Sequence, residues 1–270
     1  MSALEQGLYE LGRLDQAAGA DTPVHRIDPR AKVVATVVFV VCVVSFGKYD
    51  LLAMAPFVIY PIFTAAEGNL PFDFLARKLL IAAPFAFFVG IFNPLFDTAT
   101  VVQVGAVSIS GGWVSFAAIM FRFFLTISAA LVLIGTTSFM GVCMGLERLG
   151  MPDVLATQML FLYRYIFVLG EETMRMSRAR ASRSFGTRGM GMVVYSQFLG
   201  HLLLRTYARA QHVYQAMLAR GFDGHVRILR TLDFGMRDGL YIAGWSATFV
   251  IFRAYNIPLL IGELVTGLIS

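Results

Sequence analysis

The chain has 270 residues, of which 57% are hydrophobic and only 14% are charged, and its mean hydropathy is +0.70. Soluble domains carry about 25% charged residues, so this composition excludes an ordinary soluble protein and predicts an all-α membrane protein. The first 22 residues hold four acidic side chains and no apolar stretch, which argues against a cleaved signal peptide. We therefore expect the amino terminus to stay in the cytoplasm.

The net charge of +5 comes from arginine, because the chain has nineteen arginines and three lysines. Most of the arginines lie between Arg148 and Arg237. A basic stretch can bind nucleic acid, but this one is interleaved with Leu, Met and Tyr at helical spacing and adjoins apolar runs. We expect a cytoplasmic region beside the membrane and no nucleic-acid partner. Two cysteines, Cys42 and Cys143, are too few and too far apart for a disulfide framework or a metal site.

Apolar runs predict about five transmembrane helices, since a span needs about 20 apolar residues. The candidates are residues 33–46, 51–66, 79–96, 113–139 and 240–255. The first two flank a short turn and predict a helical hairpin. Pro56 and Pro61 predict a kink in the second span, and Pro84 and the Asn93-Pro94 pair predict the same in the third.

The positions of Lys and Arg predict the topology. Basic residues precede spans one and three and follow span four, whereas residues 97–112, between spans three and four, have none. That connection predicts a short hairpin or loop outside. The expected organisation is a cytoplasmic segment 1–32, four spans in 33–139, a cytoplasmic segment 140–237, and a last span with its tail in 238–270. Asp28 and Pro29 are typical of a helix start just before the first span.

The cytoplasmic segment predicts two or three long amphipathic helices, too polar to span the membrane. We expect them to pack against each other and the inner membrane face. Pro152 and Asp153 mark the start of the first one. Two apolar stripes at helical spacing carry the prediction: Leu155, Met159, Leu162, Ile166, Leu169 and Thr173, then Leu203, Tyr207, Ala210, Tyr214 and Met217. Arg205 and Arg209 lie off the second stripe, where a role in packing or in transmitting movement is possible.

Two similar tripeptides, centred on Arg183 and Arg220 and 37 residues apart, end helix-like stretches. Each arginine stands between small residues and is followed by a phenylalanine. An arginine followed by glycine is ordinary helix capping. A matched pair of exposed guanidinium groups beside aromatic rings also suits docking onto carboxylates of a partner. Two tips would suit two equivalent partner subunits.

Several motifs resemble the transmembrane coupling component of energy-coupling factor transporters, and two of them its cobalt-type (CbiQ) group. The resemblance covers roughly residues 22–235. The motifs shared with the coupling component are HRIDPRAK (25–32), GHLLLRTYARA (200–210) and MLARGFDG (217–224); those similar to the cobalt-type group are GIFNPLFD (90–97) and FLYRY (161–165).

This resemblance implies a non-catalytic subunit in a bacterial cytoplasmic (inner) membrane, with coupling helices that hold two ATP-binding-cassette ATPase subunits. The docking motifs would be Ser182, Arg183 and Ser184, then Ala219, Arg220 and Gly221, with Ser184 where the family commonly has glycine. Other implied partners are a membrane substrate-binding component and a small accessory membrane subunit. ATP and magnesium would bind the ATPases and the metal ion the substrate component, so no cofactor is expected in this chain. Cobalt is the expected cargo and nickel the alternative.

The sequence contains two other candidate sites and leaves two other functions to consider. Arg122, about ten residues into span four, predicts a functional polar contact, a structural pair with a buried carbonyl or an acid such as Glu263, or snorkelling to the membrane surface. Asn93 and Pro94 predict a helix break, with possible contact to the substrate component. An intramembrane enzyme is disfavoured because the spans lack carboxylate clusters and histidines. An autonomous secondary transporter is the remaining alternative, although no internal membrane repeat supports it.

Overall fold

The computed structural model describes residues 22–96, 100–104, 107–183, 191–224 and 234–255, together with a few positions before residue 21. This part of the chain is helical apart from one antiparallel hairpin, which lies where the sequence predicts a hairpin or loop. The elements are α1 (Pro29–Val44), a 3-10 helix (Leu52–Val58), α2 (Ile59–Glu67), α3 (Phe72–Gly90), α4 (Asn93–Phe96), β1 (Thr100–Val104), β2 (Val107–Ser110), α5 (Gly111–Thr137), α6 (Phe139–Arg148), α7 (Asp153–Ala181), α8 (Met192–Ala219) and α9 (Met236–Ala254).

The chain forms two compact units. The first, called here the core unit, comprises residues 14–145 and 232–270 and contains α1 to α5 and α9. The second, called the arm unit, comprises residues 1–13 and 146–231 and contains α7 and α8. The boundary at residue 145 falls within α6.

Within the core unit, α1 and α9 lie side by side and run in the same direction. Before the start of α1, the backbone N–H of Asp28 donates to the carboxylate of Asp238 at 2.7 Å. Beyond its end, Arg253 of α9 donates to the hydroxyl of Ser45 at 2.9 Å and to its carbonyl at 3.2 Å. The start of α1 therefore lies beside the start of α9, and the end of α1 lies beside the end of α9, so the two helices are parallel.

Helix α5 runs in the opposite direction to α1. Lys32 in the first turn of α1 donates to the carbonyl of Thr136 near the end of α5, at 2.8 Å. Arg122, in the first half of α5, donates to the carbonyl of Phe46 just beyond α1, at 2.9 Å. These directions are the ones that predicted spans one, four and five require, and the number of crossings stays a prediction.

Aromatic side chains make the interior of the core unit. Phe39 of α1, Phe57 of the 3-10 helix and Phe249 of α9 are all buried, with ring centroids 5.3 to 6.0 Å apart. Tyr60 and Trp245 extend the cluster, their rings 4.9 Å apart. Each aromatic pair is worth about 0.5–1.5 kcal/mol beyond the area that it buries. One set of ring contacts thus joins α9 to α1 and the 3-10 helix, which lie far from α9 in sequence.

The helix bounds refine the predicted spans. The second span has a 3-10 segment containing Pro56, followed by α2, which is how the chain accommodates the predicted kink. The third begins at Phe72, earlier than predicted, and α3 runs through Pro84 without ending. It stops at Gly90, and α4 begins at Asn93, so the helix break lies at residues 91–92, directly before the predicted Asn93-Pro94 pair.

The arm unit contains two long helices, and the predicted start at Asp153 is the first residue of α7. The predicted packing of these helices against each other is observed at Glu172, which pairs with Arg205, and their packing against the inner membrane face stays a prediction. Leu203 and Tyr207 are 68% and 64% exposed, and α8 has no buried residue. Leu155 and Leu162 of α7 are exposed as well. A stripe pattern predicts an amphipathic helix correctly, but it does not say which molecule covers the apolar side.

Two of the described helices are long and apolar enough to cross a membrane by length and composition, α5 with a mean hydropathy of 2.3 and α7 with 1.2. Helix α7 thus meets the length and composition of a span, whereas the sequence pattern predicts that all of residues 140–237 lie outside the membrane. Its first part is mostly apolar, with Arg164 within it, and three further arginines follow at Arg175, Arg178 and Arg180. The other apolar stretches form shorter or more charged helices.

Candidate functional site

The first predicted docking motif lies at the end of α7. Arg178 and Arg180 stand in the last turn of this helix, where cations interact favourably with its dipole. The backbone N–H and the hydroxyl of Ser182 both donate to the carbonyl of Arg178, at 3.0 and 3.1 Å. Ser182 and Arg183 are exposed, and Ser184 lies outside the described residues. The guanidinium of Arg183 thus follows directly on a capped helix end.

The second motif, at the end of α8, is a Schellman turn. Phe222 donates its backbone N–H to the carbonyl of Met217, and Gly221 donates to that of Leu218, each at 3.0 Å. Gly221 has φ +79°, a left-handed conformation that an L side chain rarely adopts. The predicted glycine cap is confirmed. Arg220 is the exposed C-cap residue of a backbone turn that hydrogen bonds fix in place.

An ion-pair cluster joins the two long helices. Glu172 of α7 pairs with Arg205 of α8, and Arg209 of α8 lies 3.9 Å from the same carboxylate. The Glu172 side chain is 15% exposed, whereas both arginines are more than half exposed. The sequence pattern indicates the two arginines but not Glu172. Their i, i+4 spacing places both arginines on one helix face, which was the available sign that one carboxylate could meet both.

The ion-pair cluster lies part of the way along both helices. Glu172 is nine positions before Ala181, and Arg205 and Arg209 are fourteen and ten positions before Ala219. At a rise of about 1.5 Å per residue, the cluster lies about 14 Å from the first tip and about 15 to 21 Å from the second, measured along their helices.

A basic groove of about 750 Å³ adjoins the first tip, between α7 and α8. Glu172 is its one acidic lining residue, and Arg205 already pairs with it. Arg175 pairs across one helical turn with Glu171, at 3.5 Å. The remaining lining residues carry no negative charge: Arg180 and Arg183 are cationic, His201 and Gln197 are polar, and the others, such as Phe198 and Met176, are apolar. This surface is complementary to an acidic segment of another molecule.

Arg122 contacts backbone carbonyls of the core unit. Its guanidinium donates to the carbonyl of Phe46 at 2.9 Å and to that of Gly47 at 3.3 Å. Arg253 holds the same chain segment, with its guanidinium 4.6 Å from the centroid of the Phe46 ring. The predicted pairing with a buried carbonyl is thus observed, and Glu263 lies outside the described residues. A part for Arg122 in coupling stays a prediction.

Asn93 also contacts its own chain. Its side-chain amide donates to the hydroxyl of Ser115 in α5 at 3.0 Å. Pro94 follows as the second residue of α4. These contacts tie the helix break to α5, and an additional contact with a substrate component stays a prediction.

Chemically, the described residues of the arm unit offer charged and apolar surfaces for binding. Among the residues that the structure describes, no three His, Cys, Asp or Glu side chains are grouped so that they could hold a metal ion. The expectation that metal and nucleotide bind other chains stays a prediction.

Comparison with known proteins gives matches along most of the chain. The family model CbiQ, described as "Cobalt transport protein", matches residues 20–229. An energy-coupling factor transporter transmembrane protein EcfT from Heliobacterium modesticaldum is 28% identical over 257 residues, which are 88% of this chain and 95% of the relative. Two shorter matches cover less. The uncharacterized protein MJ1089 of Methanocaldococcus jannaschii is 33% identical over 132 residues, 48% of each chain. The nickel permease LarQ of Lactiplantibacillus plantarum is 31% identical over 90 residues, 33% of each.

Proposed function

The chain belongs to the CbiQ family of cobalt transport proteins and is a membrane component of an energy-coupling-factor-type transporter, and from this premise we propose how it works. It acts as the non-catalytic coupling subunit of an ATP-driven importer for a divalent transition metal ion. Two ATPase subunits dock on the tips of α7 and α8. Their closure moves these helices, and the movement passes to a separate membrane component that binds the metal.

The observation that carries this proposal is the pair of exposed arginine tips. Arg183 and Arg220 each end a helix of more than 25 residues, 29 in α7 and 28 in α8. Neither guanidinium has an ion pair among the described residues. A planar guanidinium group at the end of a capped helix can bind a carboxylate through two hydrogen bonds. The basic groove beside Arg183 extends this surface for an acidic partner.

The helices between the tips are suited to transmitting force. Long helices resist compression along their backbone hydrogen bonds, and the Glu172 cluster links α7 to α8 part of the way along. A displacement at one tip is therefore felt by the other helix. The core unit, with its buried aromatic cluster, supplies a firm membrane part.

Cobalt is the proposed cargo, because the cobalt transport family matches 210 positions, residues 20–229, of this chain. Nickel is the alternative, favoured by the likeness to a nickel permease over a third of the chain. The metal would bind another subunit, as would ATP and magnesium. We place the amino terminus, α7 and α8 on the cytoplasmic side, with the lipid bilayer around the core unit.

The test is a mild-detergent pull-down of the tagged chain from its native membranes, with bound proteins identified by mass spectrometry. We expect an ATP-binding-cassette subunit and a small membrane protein to come with the wild type. Arg183→Glu and Arg220→Glu should each weaken ATPase retention by about 2 kcal/mol or more, because an anion then faces carboxylates. The double variant should retain none.

Arg148→Glu is the matched control, since Arg148 is also an exposed arginine in the last turn of a helix. It should leave retention unchanged. Full ATPase retention by the double variant would contradict the docking sites. Metal uptake into vesicles by this chain alone, without any ATPase, would instead support an autonomous transporter. Competition between ⁵⁷Co²⁺ and Ni²⁺ in uptake by the whole complex distinguishes the two cargoes.

A further inference from the structure

The core unit has a pocket of about 1010 Å³ that the proposed coupling function does not use. One wall is the turn that precedes α1, including Pro23, Arg26 and Ile27. The other wall is the first part of α9, including Met236, Arg237 and Leu240. The two walls are more than 200 residues apart in sequence, so the pocket exists only in the folded chain.

Asp238 holds the two walls together. This residue is 6% exposed, and its carboxylate accepts the backbone N–H of Asp28 at 2.7 Å and that of Gly235 at 2.8 Å. The turn itself is fixed by a 2.7 Å hydrogen bond between the buried side chains of Thr22 and His25. The pocket walls are thus set before any ligand arrives, which lowers the entropic cost of binding.

The pocket lining combines two cations with exposed apolar side chains. Arg26 and Arg237 are both exposed on it. Met236 is 84% exposed and Leu240 is 63% exposed, so apolar surface continues outward from the basic part. The one acid in the lining, Asp238, already accepts two backbone hydrogen bonds. A ligand with an anionic group joined to a long apolar part matches both features.

We propose that this pocket binds the phosphate of an anionic glycerophospholipid between Arg26 and Arg237, with an acyl chain along Met236 and Leu240. The proposal takes from the proposed function only the placement of this end of α1 and α9 at the cytoplasmic membrane surface. Anionic lipids are attracted to basic pockets at that surface. The bound lipid would hold the start of α9 against the turn before α1, and so anchor the core unit in the inner leaflet.

A membrane lipid fits better than a soluble anion or an acidic protein. A free phosphate would use the arginines and leave the apolar side chains in water. A protein segment would have to approach at the depth of the lipid headgroups, where Met236 and Leu240 face the bilayer in the proposed topology. Charge complementarity and the exposed apolar surface therefore both favour an anionic lipid as the ligand.

The test measures lipid binding to the purified full-length chain, with native mass spectrometry as the readout. Phosphatidylglycerol is compared with phosphatidylcholine of the same acyl chains. We expect phosphatidylglycerol to bind at least about tenfold more tightly, and Arg26→Gln and Arg237→Gln each to weaken it by about fivefold. The double variant should lose more than either single variant, and the two losses should not simply multiply, because both arginines bind the same phosphate.

Arg77→Gln is the matched control, because Arg77 is an exposed arginine predicted to lie at the same membrane surface but outside the pocket. It should bind phosphatidylglycerol as the wild type does. Equal binding of the two lipids, or an equal loss in Arg77→Gln, would overturn the proposal. Complete competition by millimolar inorganic phosphate would show an anion site without lipid selectivity and overturn it as well.

Two further measurements, the thermal midpoint and ATPase retention of each variant, separate a loss of lipid binding from a folding defect and from a failure of the proposed function. The thermal midpoint of each variant should equal that of the wild type, since both arginine side chains are exposed. If a glutamine variant proves unstable, Leu240→Ser gives a second test, because it removes only the acyl contact and should also weaken lipid binding. ATPase retention should be unchanged in all of these variants. Loss of lipid binding with retained ATPase separates this site from the docking tips.

Discussion

The core unit and the arm unit are both helical, yet they bury their apolar side chains to very different extents. In the core unit, Phe39, Phe57 and Phe249 are almost fully buried among one another. In the arm unit, α8 buries no residue, and its link to α7 includes the ion pairs of Glu172. The core unit thus has a buried aromatic interior of its own, whereas the apolar side chains of α8 in the arm unit are exposed.

The difference in burial indicates that a partner is expected on the arm unit. A helix with an exposed apolar stripe becomes stable against other molecules, because most helical stability comes from packing of the apolar face. The exposed Leu203 and Tyr207 of α8 therefore indicate that this helix packs against other subunits or the membrane surface. Substitutions in the core unit should act on stability, and substitutions in the arm unit should act on assembly.

The largest expected effect is that of Phe249→Ala in the core unit. Phe249 is 1% exposed and its ring lies 5.1 to 6.0 Å from those of Phe39, Phe57 and Tyr60. The cavity should lower the free energy of unfolding by about 3 kcal/mol, measured by thermal unfolding in detergent. Phe92→Ala, at a ring that is 57% exposed, should change it little. Equal effects of the two would mean that the aromatic cluster does not hold the core unit together.

Arg122→Met should have the next largest effect. It removes a charged donor from the carbonyls of Phe46 and Gly47, and such bonds are worth about 1.5–3 kcal/mol. We expect a lower thermal midpoint with normal ATPase retention. Arg77→Met serves as the exposed control and should be neutral. If Arg122→Met kept its stability but lost metal uptake, Arg122 would belong to the coupling machinery instead.

Charge exchange tests the link within the arm unit. Glu172→Arg should weaken the α7–α8 link by about 1–2 kcal/mol, a modest value because both arginines are more than half exposed. ATP-driven metal uptake should fall, while the thermal midpoint of the core unit stays constant. Combining it with Arg205→Glu should restore uptake, since the pair re-forms with its charges exchanged. Absence of any rescue would assign Glu172 a role other than this pair.

The smallest expected effect is a local loss of stability at the end of α8. A second glycine in the same helix, Gly200, provides a control in which the same substitution should raise stability. Gly221→Ala places a side chain at φ +79° and should cost about 1 kcal/mol at the end of α8. Gly200→Ala, within α8 and with open space around the added carbon, should instead stabilise the helix by up to about 1 kcal/mol. Hydrogen exchange of the last turn of α8 distinguishes them. Exchange in Gly221→Ala that is no faster than in the wild type would contradict the capping role of Gly221.

Much of the fold could be predicted from local pattern. Asp28 accepts the N–H of Arg30 at 2.8 Å and Pro29 begins α1, as a helix-start signal requires. The hairpin before α5 and the glycine turn at Gly221 also follow from short-range chemistry. The start of α3 was misplaced by several residues, because the charged first turn containing Asp73 hides the helix from a search for apolar runs.

The candidate site could be predicted only in part. The arginine tips were found because each is a local motif at a helix end, and both lie exposed where the structure describes them. Glu172 could not be predicted, because no local sequence pattern indicates which distant cation a carboxylate pairs with. The same holds for Arg122, for which the sequence left a carbonyl and an acid open as partners.

Composition and spacing by themselves determined that this is a helical membrane protein with two similar arginine-centred helix ends, because hydropathy and capping depend on neighbours within a few residues. Only the tertiary structure decided that Asp238 joins the two walls of a pocket, that Arg122 binds the end of α1, and that α8 leaves its apolar stripe open. Those features depend on which segments meet in space. Such meetings are set by the packing of the whole chain and not by any single window of it.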